Sequence, residues 1–130
     1  MNKRTAGDDV DVVLLVEDDP AIADIATMVL EDAGYEVLGA IDVTQAKAWA
    51  VSRPDISAIV TDVNFRTGPD GLSMARELRS DGLAASIVIM SGDQSWANHV
   101  SDDIKFLAKP FGTAELLDAV ADACALYRKS

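Results

Sequence analysis

The sequence predicts an α/β protein built on a doubly wound parallel sheet. Strand-like and helix-like patterns alternate five times along the chain, with short connections between them. The runs at 56–61 and 86–90 lack polar alternation, which is typical of central strands buried on both faces. Five such repeats with right-handed crossovers leave few topologies, of which the doubly wound sandwich is the simplest.

Local signals place the individual elements. Pro20 fits the first position of a helix, with Asp19 as its N-cap, and Gly34 fits the residue after the end of that helix. The predicted order is a strand at 11–16, a helix at 20–33, a strand at 35–40, a helix at 43–53, a strand at 56–61, a helix at 71–81, a strand at 86–91, a helix at 94–101, a strand at 104–108 and a helix at 112–127.

The chain of 130 residues has the size of one domain. We expect a domain at 11–130, preceded by a disordered or loosely held tail at 1–10 that is polar and lacks periodicity. The single cysteine, Cys124, excludes an internal disulfide framework and falls in an apolar helical stripe, where we expect it to be buried. No segment resembles a signal peptide or a membrane span, so we expect a cytoplasmic protein.

The charge of the chain limits its partners. Its net charge is -11, from 22 acidic and 11 basic residues, which argues against direct binding to nucleic acid or to anionic membranes. Protein surfaces and metal cations stay plausible. The length accommodates no attached output domain, so we expect a stand-alone domain, although a fragment of a larger regulator or of a hybrid kinase is the other possibility.

Reactive side chains stand at the ends of four predicted strands. Glu17 and Asp18 follow the first strand, Asp62 the third, Ser91 ends the fourth, and Lys109 follows the fifth. In a parallel sheet these ends lie on one edge, where open α/β sheets bind ligands. The pattern indicates a site for a metal ion and a phosphoryl group.

The chemistry of these groups supports that interpretation. Three carboxylates close together raise each other's pKa unless a cation neutralises them, and Mg²⁺ is the hard cation that prefers oxygen ligands. An ionised Asp62 could then attack phosphorus and form an aspartyl phosphate. Lys109 supplies a positive charge, and Ser91 a hydroxyl donor, for the phosphoryl oxygens.

Five segments resemble the receiver domains of bacterial response regulators, in the same order and at compatible spacing. The resemblance covers residues 11 to 127. The segments are Leu14-Leu15-Val16-Glu17-Asp18-Asp19-Pro20, Ile59-Val60-Thr61-Asp62-Val63-Asn64, Pro69-Asp70-Gly71-Leu72, Ile89-Met90-Ser91-Gly92 and Phe106-Leu107-Ala108-Lys109-Pro110-Phe111.

The resemblance implies a flavodoxin-like (βα)5 fold with strand order 2-1-3-4-5. It implies that Asp62 is the phosphoacceptor and a ligand of Mg²⁺. It further implies that Asp18 binds the ion directly, that Glu17 acts mainly through a water, and that the main-chain carbonyl of Asn64 completes the set.

The resemblance also implies a switch. Ser91 turns toward the phosphoryl group, and Lys109 pairs with that group beside a Lys-Pro bond that is usually cis. Phe106 then moves inward and reshapes the face made by the fourth helix, the fifth strand and the fifth helix. The implied partners are a histidine kinase or a histidine phosphotransfer protein, which donates the phosphoryl group, and a downstream protein. Such a domain is no enzyme beyond its own phosphorylation and dephosphorylation.

The chain departs from the commonest receiver pattern at four places. The loop after Asp62 is one residue longer than usual, and Arg66 stands near the place of a frequent proline. The switch aromatic is Phe106 rather than tyrosine, and the switch hydroxyl is Ser91 rather than threonine. Ser86 replaces a proline that often precedes the fourth strand.

Two other functions fit parts of the pattern. A phosphatase with an aspartate nucleophile, as in haloacid-dehalogenase-like hydrolases, would also use a strand-end Asp62 with Mg²⁺. It would need a second acid two residues later, where this chain has Asn64. A degenerate receiver that binds partners without phosphorylation is the other alternative.

Overall fold

The computed structural model describes residues 10–65 and 68–129. Of the predicted tail only Val10 is described, and Arg66 of the unusual loop lies outside the described residues. The elements are β1 (Val12–Val16), α1 (Pro20–Asp32), β2 (Glu36–Ala40), α2 (Val43–Ser52), β3 (Ile56–Asp62), α3 (Gly71–Ser80), β4 (Ser86–Ser91), a 3-10 segment (Gln94–His99), β5 (Ile104–Ala108) and α4 (Thr113–Lys129).

The five strands form one parallel sheet in the order β2-β1-β3-β4-β5, which confirms the predicted fold and strand order. The register aligns the carboxyl ends of the strands. Val16 pairs with Thr61, Asp62 with Met90, and Ser91 with Ala108. The residues that follow these strands therefore meet at one edge of the sheet.

Alternate residues of the strands point to two cores on opposite faces of the sheet. Leu14 belongs to the core that α2 and α3 cover, whereas Leu15 belongs to the core under α1 and α4. All six residues of β4 are buried, as predicted for a central strand. Cys124 lies in the second core and is 1% exposed, which confirms that it acts as a small apolar residue.

The predicted helix ends are confirmed where they depend on local chemistry. The Asp19 carboxylate accepts hydrogen bonds from the main-chain N–H groups of Ala21 and Ile22, and Pro20 occupies the first turn of α1. Gly34 follows α1 with a φ of 99°, a conformation that favours glycine. None of the helices among the described residues is long and apolar enough to cross a membrane.

The helix predicted at 94–101 is shorter in the structure, which has a six-residue 3-10 segment there. None of its residues is buried, so no apolar face stabilises a longer α-helix. Trp96 packs partly on the first core, and the exposed His99 lies against it with ring centroids 4.6 Å apart. After His99 the chain becomes extended at Val100, which ends the helical turn.

Candidate functional site

Three acidic side chains from two strand ends meet at the carboxyl edge of the sheet. Glu17 and Asp18 follow β1, and Asp62 is the last residue of β3. Each offers a carboxylate oxygen, and these oxygens lie within 4.8 Å of one another. Such a set of oxygen donors suits a hard divalent cation such as Mg²⁺, because its charge offsets their mutual repulsion.

Lys109, directly after β5, brings a positive charge to this cluster. Its ammonium group donates a hydrogen bond of 2.6 Å to Glu17 Oε1 and lies 3.3 Å from Asp62 Oδ1. The Lys109–Pro110 peptide bond is cis, as the resemblance implied. The main-chain N–H of Lys109 donates to the carbonyl oxygen of Ser91, which ties the lysine to the end of β4.

Burial and the interaction between Glu17 and Lys109 shift the pKa of each group in opposite directions. Burial raises the pKa of the Glu17 carboxyl, although hydrogen bonds from Lys109 and from the main-chain N–H of Asp19 oppose the shift. Burial by itself lowers the pKa of Lys109, but the hydrogen bond to Glu17 and the charge of Asp62 outweigh it, so that the pKa is raised. The lysine therefore stays charged and partly neutralises the carboxylates.

Ser91 is buried at the end of β4, on the strand next to Asp62. Its hydroxyl oxygen accepts a hydrogen bond of 2.9 Å from the main-chain N–H of Asp93. The Asp93 carboxylate in turn accepts bonds from the N–H and hydroxyl of Ser95, in the first turn of the 3-10 segment. The Ser91 hydroxyl thus connects the edge of the sheet with that segment.

The remaining two predicted residues, Asn64 and Phe106, follow β3 and lie within β5, respectively. Asn64 is exposed and follows Val63, whose main-chain N–H donates to the carbonyl of Met90. Phe106 lies within β5, opposite Ile89, and packs half-buried on the first core. The structure thus brings Glu17, Asp18, Asp62 and Lys109 together, whereas Phe106 belongs to the packing behind the edge.

Two further residues, Thr61 and Gly71, lie beside Asp62 and were not predicted to be part of the site. Thr61 is a fully buried polar residue in an apolar strand, and Gly71 is the first residue of α3. The polar residue within an apolar run was the only signal for Thr61. For Gly71 the signal was a glycine at a position where a helix does not require one.

Comparison with known proteins gives the family. The family model described as "Response regulator receiver domain" matches residues 13–121. The transcriptional regulator RpaA of Synechocystis is 32% identical over 117 residues, which cover 83% of this chain and 46% of the relative. The phosphate regulon regulator PhoB of Pseudomonas aeruginosa is 32% identical over 114 residues, which cover 81% of this chain and 48% of the relative. The chain thus spans about half the length of these curated relatives.

Solved structures agree with this result. A response regulator receiver protein from Sinorhizobium medicae superposes with a TM-score of 0.80 at 28% identity, covering 92% of this chain and 98% of that one. The receiver domain of the hybrid histidine kinase CckA superposes with a TM-score of 0.75 at 28% identity, covering 87% of this chain and 98% of that one. The fold and the sequence match define a signalling domain of two-component systems. The chain belongs to the response regulator receiver domain family.

Proposed function

We propose that the protein is a phosphoacceptor in which Asp62 receives a phosphoryl group from a phosphohistidine. One Asp62 oxygen attacks phosphorus, the P–N bond breaks, and its electron pair returns to the donor imidazole, leaving an aspartyl phosphate. The observation that carries this proposal is the position of Asp62, whose carboxylate lies 3.3 Å from Lys109 and beside two other acids. That arrangement faces the attacking carboxylate with positive charge.

The chain's own groups can hold the ion and the transferred group. Asp18 and Asp62 are suited to bind Mg²⁺ directly, Glu17 through a water, and Asn64 through its main-chain carbonyl. Bound Mg²⁺ supplies charge that offsets the carboxylates and the phosphoryl oxygens. Lys109 pairs with a phosphoryl oxygen. The acidic cluster and the family supply the support for this cofactor.

The contacts of Ser91 suggest how phosphorylation would change the binding of a downstream protein. When its hydroxyl donates to a phosphoryl oxygen, Ser91 moves away from the N–H of Asp93, and Phe106 fills the space behind it. The face made by the 3-10 segment, β5 and α4 then changes for a downstream protein, or the phosphoryl group passes on along a relay. The donor is a histidine kinase or a histidine phosphotransfer protein in the cytoplasm. The net charge of -11 favours contact with protein over contact with DNA.

The test is phosphorylation by acetyl phosphate and by histidine kinases of the source organism. We expect Mg²⁺-dependent labelling of the wild type, no labelling of Asp62→Asn, and normal labelling of Asp122→Asn, which removes an exposed carboxylate of α4. Equal labelling of Asp62→Asn and wild type would place the phosphoryl group elsewhere. An unlabelled wild type that still binds a partner would make the protein a phosphorylation-independent binding module.

A further inference from the structure

The main-chain carbonyl group of Asp62 accepts a hydrogen bond from the side chain of the preceding residue, Thr61. Thr61 is fully buried, and its hydroxyl donates a hydrogen bond of 2.8 Å to the carbonyl oxygen of Asp62. The paired register of β1 and β3 ends at Val16 and Thr61, so Asp62 lies one residue beyond it. The threonine therefore supplies a hydrogen-bond donor where the pairing with β1 has stopped.

Gly71, the first residue of α3, lies very close to the same carbonyl group. A β-carbon placed on Gly71 would lie 1.8 Å from the carbonyl oxygen of Asp62 and 2.6 Å from Thr61 Oγ1, closer than any real contact. The main-chain N–H of Gly71 also donates a bond of 2.7 Å to the carbonyl of Val63. A helix in general favours alanine over glycine, so the glycine here serves the close approach to Asp62.

These contacts hold the main-chain carbonyl groups of Asp62 and Val63, which directly follow the proposed nucleophilic side chain. We propose that Thr61 and Gly71 are positioning residues, which together set the direction of the Asp62 carboxylate and of the Asn64 carbonyl. This inference rests on the proposed function, because it concerns the same phosphoacceptor and metal ligands. Both act through the main chain of Asp62 and Val63 and are not among the proposed ligands of the ion.

Thr61 has no other evident reason to be polar. Its neighbours Ile59 and Val60 are buried apolar residues, and valine would match the shape of threonine without placing a hydroxyl in the core. The hydroxyl bonds to the adjacent residue of its own strand, so it adds no link between strands. Its effect is confined to the conformation at Asp62.

The first test removes the hydroxyl and keeps the shape of the side chain. Thr61→Val should weaken Mg²⁺ binding by about ten-fold, the usual order for an outer partner of a metal ligand, and should slow labelling by acetyl phosphate. Thr61→Ser should restore both. Mg²⁺ affinity is measured by calorimetric titration, and labelling is followed over time.

A matched control lies on the same strand. Ser57 is also a buried hydroxyl, which bonds to Asp11 and to the N–H of Val12 at the opposite end of β3. Ser57→Ala should lower stability to urea and leave Mg²⁺ affinity unchanged. If Thr61→Val binds Mg²⁺ and accepts phosphate as the wild type does, or if Ser57→Ala has the same effect on Mg²⁺ affinity, Thr61 is only a structural residue.

The second test adds one methyl group. Gly71→Ala must displace the carbonyl group of Asp62, and a shift of about 1 Å can cost on the order of 100-fold in rate. Gly39→Ala is the control, because open space surrounds that position in β2. Normal labelling of Gly71→Ala would overturn the inference. If Gly71→Ala does not fold, the Thr61 variants alone test whether these residues position Asp62. Failure of the wild type to take up phosphate would instead contradict the proposed function.

Discussion

Lys109 is the residue on which the electrostatics of the site depend. Its ammonium group lies between the buried carboxylate of Glu17 and the carboxylate of Asp62. The Glu17 side chain is 1% exposed, so water can do little to solvate its charge. A buried charge whose partner is removed is strongly destabilising, because its desolvation is no longer offset.

At the residue scale we predict a large effect of Lys109→Met, which keeps much of the side-chain volume but removes the charge. In the absence of divalent metal at pH 7, the free energy of unfolding should fall by about 3 kcal/mol, as measured by urea denaturation. The control is Lys47→Met, because the Lys47–Glu77 pair is exposed and should contribute at most about 1 kcal/mol. Equal losses in the two variants would contradict the prediction.

The same variant should show a defined pH dependence. Burial already raises the pKa of Glu17 above its ordinary 4.5, and loss of Lys109 removes interactions that lower it. With a raised pKa the folded state binds the proton more tightly than the unfolded state, so stability falls as pH rises. The deficit of Lys109→Met against wild type should therefore be small below pH 4.5 and grow above it.

Some residues of the site could be predicted from the sequence, and others could not. Glu17, Asp18, Asp62 and Lys109 could be brought together in advance, because parallel strands place all their carboxyl ends on one edge. Thr61 and Gly71 could not be assigned a role in that way. The role of Thr61 depends on where its hydroxyl points, which residue type alone does not give. The role of Gly71 depends on how closely α3 approaches β3, a property of packing that no spacing along the chain encodes.

At the scale of elements, the 3-10 segment differs from every other connection of the sheet. The predicted helix at 94–101 begins at the right residue, Gln94, but the structure has a 3-10 segment that ends at His99. Tertiary packing decides such short helical stretches, and this one buries none of its residues. It is attached through the Asp93 N–H to Ser91 and through the partial packing of Trp96 on the first core.

We predict that the amide hydrogens of this segment exchange with solvent on the order of 100-fold or more faster than those of β4 and α4. Asp93→Ala should accelerate exchange further, because the carboxylate no longer accepts bonds from Ser95. Hydrogen exchange followed by mass spectrometry measures both effects. Asp42→Ala, which removes the N-cap of α2, should leave the 3-10 segment unaffected. Protection equal to that of α4 would show that the segment is stably packed.

At the scale of the whole molecule, the acidic cluster belongs to a chain with twice as many acids as bases. Any cation therefore stabilises the fold to some degree by screening, and Na⁺ and Mg²⁺ share this general effect. A specific site adds a second contribution, since a ligand that binds only the folded state shifts the equilibrium toward it. The two contributions separate when ionic strength is held constant.

We therefore predict that Mg²⁺ at about 100 times its dissociation constant stabilises the protein by about 2.7 kcal/mol, which corresponds to roughly 10 °C in Tm. NaCl at matched ionic strength should give a much smaller rise. Asp18→Asn should raise the Tm of the metal-free protein, because it removes one of three neighbouring charges, and should abolish the response to Mg²⁺. Asp122→Asn, on the exposed face of α4, should keep the full response. A response to Mg²⁺ that NaCl reproduces, or that Asp18→Asn retains, would mean that the cluster screens charge and does not bind the ion.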